Sequence, residues 1–165
     1  MFLFNEIIQK KLLYQLQLIL ILNKDTNNKT HHHNYVANQL MIIDDEKDLL
    51  FVYKSGLEID GIEISTFDDP TLALEEFSKN SEKYCIVITD LRMPVMSGYE
   101  IINKFKIINP KVKIIMISAY NITEGEIIHN LNSNIKMDRL IRKPVALEDL
   151  RRMIEEMLKD YKNTQ

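Results

Sequence analysis

At 165 residues and 45% hydrophobic content the chain can bury one good core, and a second independent domain would be cramped. A net charge of −3, a pI near 5.8 and basic residues scattered among acidic ones give no electrostatic case for wrapping nucleic acid. A single cysteine, Cys85, excludes an internal disulfide; lying within an apolar run, it reads as a core residue.

Residues 1–38 differ in character from the rest. The opening "MFLFNEIIQKKLLYQLQLILIL" has helical spacing at Leu12, Leu16, Ile19 and Leu20, but polar residues interrupt it and its longest apolar run is Leu18 to Leu22. That is far short of the roughly 20 residues that cross a bilayer, so no membrane span is expected. No small-residue cleavage site follows, so no secretory signal is expected either, and the reading is cytoplasmic. The apolar face could bind a partner helix or a membrane surface, or the segment could be an upstream start that is not used. "NKDTNNKTHHHN" lacks apolar periodicity and reads as a solvated linker; His31, His32 and His33 could ligate a metal, but no Cys, Asp or Glu close in sequence completes a site. The extension is thus expected to be helical or disordered, and residues 161–165 a tail.

From Gln39 onward, short apolar runs alternate with helical segments. The pattern predicts strands at 40–43, 62–67, 84–89, 112–118 and 139–142, and helices near 46–57, 71–79, 98–108, 123–131 and 147–160. Pro70 and Gly98 stand at helix starts, and Leu147, Leu150, Ile154, Met157 and Leu158 form a helical stripe. The third and fourth strands are apolar nearly throughout, as parallel strands covered on both faces must be. The expected fold is therefore a doubly wound α/β domain over 39–160, with a five-stranded parallel sheet of flavodoxin-like order 2-1-3-4-5.

In such sheets a ligand binds beyond the carboxyl ends of the strands, where the strand order reverses. The first strand ends in Asp44-Asp45, the third in Asp90, the fourth in Ser118-Ala119, and the fifth runs out at Lys143-Pro144. Singly, each is as readily a capping or solvated group. Together they close four strands with an acidic pair, an Asp, a hydroxyl and a Lys. Three carboxylates on one rim would repel and raise one another's pKa unless a divalent cation neutralised them, and oxygen-only ligands suit Mg²⁺.

The stretches "MIIDDE", "VITDLRMPVMSG", "IMISAY" and "IRKP", in that order and close to the usual spacings, resemble the receiver domain of two-component response regulators. The resemblance covers residues 39–160 and implies that Asp90 is the phosphoacceptor, with Asp44, Asp45 and Asp90 holding Mg²⁺ together with the carbonyl of Arg92. It implies further that Ser118 donates to a phosphoryl oxygen, that Lys143 pairs with another, that the peptide before Pro144 is cis, and that Ala119 leaves access. Arg92 and Tyr120 flank the path of a hydrolytic water and are expected to modulate dephosphorylation, giving a slowly lost phosphoryl group. The implied partners are a sensor histidine kinase or phosphotransfer protein and a downstream protein, with no output domain expected after Gln165, hence a stand-alone regulator and not an enzyme. Two departures stand out: Leu140 occupies the position where the family often has an aromatic switch, and the stretch from Ser118 to Lys143 is longer than usual. Hydrolases forming an aspartyl phosphate on a related sheet are the rival reading, but they need a second Asp where this chain has Arg92. A phosphorylation-independent binding module is the other.

Overall fold

A computed structural model describes residues 38–163. The expectations for the preceding segment, including His31–His33 and the apolar face of Leu12, Leu16, Ile19 and Leu20, lie outside the described residues; of the expected tail, residues 161–163 are instead the end of the last helix.

Five strands alternate with five α-helices: β1 (Gln39–Ile43), α1 (Lys47–Gly56), β2 (Glu63–Phe67), α2 (Pro70–Asn80), β3 (Tyr84–Asp90), α3 (Gly98–Ile108), β4 (Lys113–Ser118), α4 (Glu124–Asn130), β5 (Arg139–Arg142) and α5 (Leu147–Asn163). The strands form one parallel sheet of order β2-β1-β3-β4-β5, as the apolar pattern predicts. Boundaries differ from the expected ones by a residue or so, except that α5 runs three residues further, to Asn163. Pro70 is the first residue of α2 rather than the one before it, a place where its missing N–H has no partner to lose; Asp69 caps the same turn by accepting from Thr71 N–H at 2.7 Å.

Each face of the sheet carries its own core. Leu40, Ile42, Ile86, Ile88, Ile115 and Ile117 pack against Leu50 and Tyr53 of α1 and Leu150, Ile154 and Tyr161 of α5. Met41, Ile43, Val87, Ile114 and Met116 face Ala73 and Phe77 of α2 and Ile101, Ile102 and Phe105 of α3, where Phe77 and Phe105 stack at 4.0 Å. Successive strand residues point to opposite faces, so a strand buried on both must be apolar at every position. In β3 all seven residues are buried, Asp90 among them.

Cys85 is a core residue, its Sγ 3.2 Å from the Gln39 carbonyl. It also sits at a register shift, because Gln39 pairs with Tyr84 but Leu40 with Ile86. The extra residue resets which face each later side chain of β3 occupies, so that Ile86 and Ile88 join Cys85 in the α1/α5 core.

Ser97 and Thr123 each close a reciprocal capping box, with Glu100 on α3 and Glu126 on α4. The long stretch between β4 and β5 thus holds one short helix. Its return to the sheet is tied by Asp138, whose Oδ2 accepts from Lys106 Nζ and Ile114 N–H, both at 2.9 Å. Among the described residues no helix is long and apolar enough to cross a membrane.

Candidate functional site

The carboxyl ends of β1, β3, β4 and β5 lie side by side, and the chain leaves each of them with a polar group. Asp44, just past β1, and Asp90, the last residue of β3, are both buried. Between them reaches the Lys143 ammonium, 2.6 Å from Asp90 Oδ1 and 2.9 Å from Asp44 Oδ2. Glu46, at the start of α1, approaches the same ammonium at 3.7 Å. The Lys143-Pro144 peptide is cis, as the resemblance implied.

Main-chain donors fix the carboxylates. Arg92 N–H donates to Asp90 Oδ2 at 2.7 Å, and Glu46 N–H to Asp44 Oδ1 at 2.9 Å. Each of these carboxylates therefore has one oxygen held by a backbone amide and the other by Lys143. At the next strand end Ser118 is buried, and its Oγ accepts from Tyr120 N–H at 3.0 Å. Lys143 N–H donates to the Ser118 carbonyl at 2.8 Å, which sets the lysine directly beside the end of β4.

Gly98 is required by close approach. A Cβ there would stand 2.5 Å from the Asp90 carbonyl oxygen, so α3 can begin against the strand end only if this residue lacks a side chain. Val95, in the loop between, holds φ at +70° and is 86% exposed. Left-handed backbone is strained for a β-branched residue, and the loop imposes it one residue after Pro94.

Burial raises the Asp44 carboxyl above the usual range; the Glu46 amide and Lys143 oppose the rise, and the charge of Asp90 is the smallest contributor. The sequence expectation that mutual repulsion would be the cause is corrected here: for Asp44, loss of water outweighs the neighbouring charge. For Lys143 burial acts to lower the pKa, but its bonds to Asp90 and Asp44 outweigh it, so the group is raised and stays protonated.

The structure thus brings together Asp44, Asp90 and Lys143, and places Ser118 on the adjoining strand end. Asp45 is exposed and does not join the Lys143 contacts, and among the described residues no three His, Cys, Asp or Glu side chains already stand as a metal-ligand set. Arg92 and Tyr120 are not independent solvent-facing chains: the guanidinium lies over the Tyr120 ring, 3.9 Å from its centroid. Leu140, at the switch position of the resemblance, is 39% exposed on β5. Sequence reasoning missed Glu46 as a third carboxylate near Lys143, although its adjacency to Asp44-Asp45 at a helix start was a usable signal. It also missed the Arg92 amide, which no side-chain pattern reveals.

A family model described as the response regulator receiver domain matches residues 40–155. The response regulator receiver protein CpdR of Brucella abortus is 28% identical over 121 residues, 73% of this chain and 96% of that protein. Response regulator SaeR of Staphylococcus epidermidis is 31% identical over 111 residues, 67% of this chain but only 46% of that protein, so the chain spans less than half of this longer relative. Among solved structures, a response regulator receiver domain protein from Clostridium thermocellum superposes with a TM-score of 0.66 at 30% identity, covering 78% of this chain and 99% of that one. A CheY-like receiver domain protein from Methanospirillum hungatei gives 0.67 at 27% identity, covering 78% and 98%.

Proposed function

The chain belongs to the response regulator receiver family of two-component signalling, and from that premise we propose that Asp90 is its phosphoacceptor, charged by a sensor histidine kinase or a phosphotransfer protein. Phosphorylation on an aspartate is general to the family. The observation that carries the assignment to Asp90 is its place at the end of β3 with one oxygen 2.6 Å from Lys143 and the Ser118 hydroxyl on the neighbouring strand end. Residues 39–160 are proposed as the receiver, with residues 1–38 as an extension.

In the reaction an Asp90 carboxylate oxygen attacks the phosphorus of a phosphohistidine. An O–P bond forms, the P–N bond breaks, and the imidazole nitrogen leaves with the electron pair and takes up a proton. The chain supplies positioning and charge. The Arg92 amide orients the nucleophile; Lys143, fully protonated, moves from the carboxylate pair to a phosphoryl oxygen, and Ser118 donates to another.

Receivers generally bind Mg²⁺ where they are phosphorylated. The donors present here suit it, being oxygen only: the buried Asp44 and Asp90, the exposed Asp45 able to turn inward, and the Arg92 carbonyl. When bound, the ion supplies positive charge against the phosphoryl oxygens. Tyr120 and Arg92, both beside the acceptor, slow the approach of water and lengthen the life of the acyl phosphate. Output passes through a phosphorylation-dependent change of surface, read by a downstream protein.

Intact-mass measurement with acetyl phosphate and Mg²⁺ tests the assignment. One phosphoryl group is expected on the wild type and none on Asp90→Asn; undiminished labelling of the variant overturns it, and an unlabelled wild type favours a phosphorylation-independent module.

A further inference from the structure

Arg92 touches the acceptor with its main chain and a neighbouring strand end with its side chain. Its N–H donates to Asp90 Oδ2 at 2.7 Å, while its guanidinium covers the Tyr120 ring at 3.9 Å. Tyr120 in turn donates its own N–H to Ser118 Oγ at 3.0 Å. The contacts run from the carboxylate of β3, through Arg92 and Tyr120, to the hydroxyl that ends β4. Both side chains are exposed, Tyr120 to 51%, so this bridge spans the mouth of the site and moves without disturbing the core. The guanidinium charge also reaches Glu126 in the first turn of α4, whose carboxyl is held low by the Thr123 amide and hydroxyl and, more weakly, by Arg92.

We propose that Arg92 is a two-position cation, stacked on Tyr120 while Asp90 is free and transferred to the phosphoryl oxygens once Asp90 is modified, so that phosphorylation uncovers the Tyr120 ring. The proposal rests on the reading of Asp90 as phosphoacceptor. An exposed cation–π contact is weak, whereas a guanidinium meeting a dianion forms bidentate, charge-assisted hydrogen bonds. Because the Arg92 amide is anchored on the acceptor itself, little freedom is lost in the transfer. Lys143 is already shared between Asp44 and Asp90, and a phosphoryl group of about −2 charge brings three acceptor oxygens, more than one ammonium, one hydroxyl and a bound divalent cation saturate. The bared ring, and the loss of a cation beside Glu126, then mark the phosphorylated state at the β4–α4 corner. Leu140 on β5 offers no ring for such a role.

Full-length protein labelled with carbon-13 arginine reads this directly by NMR. Arg92 signals are identified by their loss in Arg92→Lys. Before phosphorylation the Arg92 side-chain methylene signals are expected upfield, shifted by the Tyr120 ring current, in wild type and Tyr120→Phe but not in Tyr120→Leu. With acetyl phosphate and Mg²⁺ in excess, and intact mass verifying the label, the upfield shift is expected to disappear, and to persist in Asp90→Asn. Signals that keep their shift in fully labelled protein, or that carry none beforehand, overturn the proposal. A wild type that takes no label overturns the reading of Asp90 and this proposal with it, so the mass separates the two failures.

Discussion

Asp44 and Lys143, 99 positions apart in the chain, meet at 2.9 Å on the rim of the sheet. The lysine is shared with Asp90, so one ammonium compensates two buried carboxylates, and the Asp44 carboxyl is still raised by burial. The site is therefore held at a cost to the fold.

Asp44→Asn is expected to raise thermal stability at pH 7 by on the order of 1 kcal/mol: the amide oxygen still accepts from Glu46 N–H, the Lys143 contact is given up, but that ammonium keeps Asp90 and residue 44 no longer carries a buried charge. The sign follows from the raised pKa: the folded state holds the proton more tightly than the unfolded chain, so this group's contribution is best at low pH and is lost as pH rises through the window above the ordinary carboxylate range. The variant's advantage should fade as pH falls into that range, where wild-type Asp44 is protonated as well. Melting curves across acid and neutral pH check it; an advantage independent of pH would refute the account.

Lys143→Gln removes the counter-charge of Asp44 and Asp90. In chelator the variant is expected to lose roughly 1–2 kcal/mol, a figure discounted because the lysine keeps 18% exposure. Millimolar Mg²⁺ should restore more stability to the variant than to wild type, as two uncompensated carboxylates bind a cation more tightly. Equal responses of both proteins to Mg²⁺ in thermal melts would sink this.

The phosphoryl group should be lost slowly from wild type, and at least about tenfold faster from the Arg92→Asn, Tyr120→Glu double variant, a barrier difference of ~1.4 kcal/mol. The variant replaces the stacked pair with side chains able to orient water. Following the mass label after acetyl phosphate is removed decides it: decay of the wild type within seconds, or a variant no faster, contradicts the shielding role.

Val95→Gly should stabilise the protein by about 0.5–1 kcal/mol, because relief of the left-handed strain at φ +70° exceeds the entropy that glycine adds to the unfolded chain. The side chain is 86% exposed, so little packing is lost. Denaturant titration gives the difference, and a destabilised variant would mean that Val95 holds contacts which outweigh the strain.

Asp138→Ala should destabilise by about 2–3 kcal/mol, since it removes the carboxylate that Lys106 and the Ile114 amide share and leaves that buried amide without this acceptor. Labelling by acetyl phosphate at a temperature where the variant is folded should match wild type. An intact melting temperature would show that Lys106, which also bonds the Val112 carbonyl, needs no carboxylate.

The five-strand alternation and the polar residues closing four of the strands were legible in the sequence because they rest on local periodicity, and the strand order followed as the common one for five strands so connected. Uninterrupted apolar runs such as "YCIVIT" can be only doubly covered strands in a helix-alternating chain, and a carboxylate ending one, as Asp90 does, marks the rim. Asp44, Asp90 and Lys143 could be nominated on these grounds alone.

What the sequence could not decide is how those groups share one another. The division of Lys143 between Asp44 and Asp90, the Arg92 amide on Asp90 Oδ2, the stack of Arg92 on Tyr120 and the need for no side chain at Gly98 arise between elements far apart in the chain. The face reset at Cys85 belongs with them, since a register shift appears only when β1 is laid against β3. Periodicity states which way a side chain points from its own strand or helix; distance, desolvation and the choice among competing partners are set by packing, and so by the tertiary structure alone.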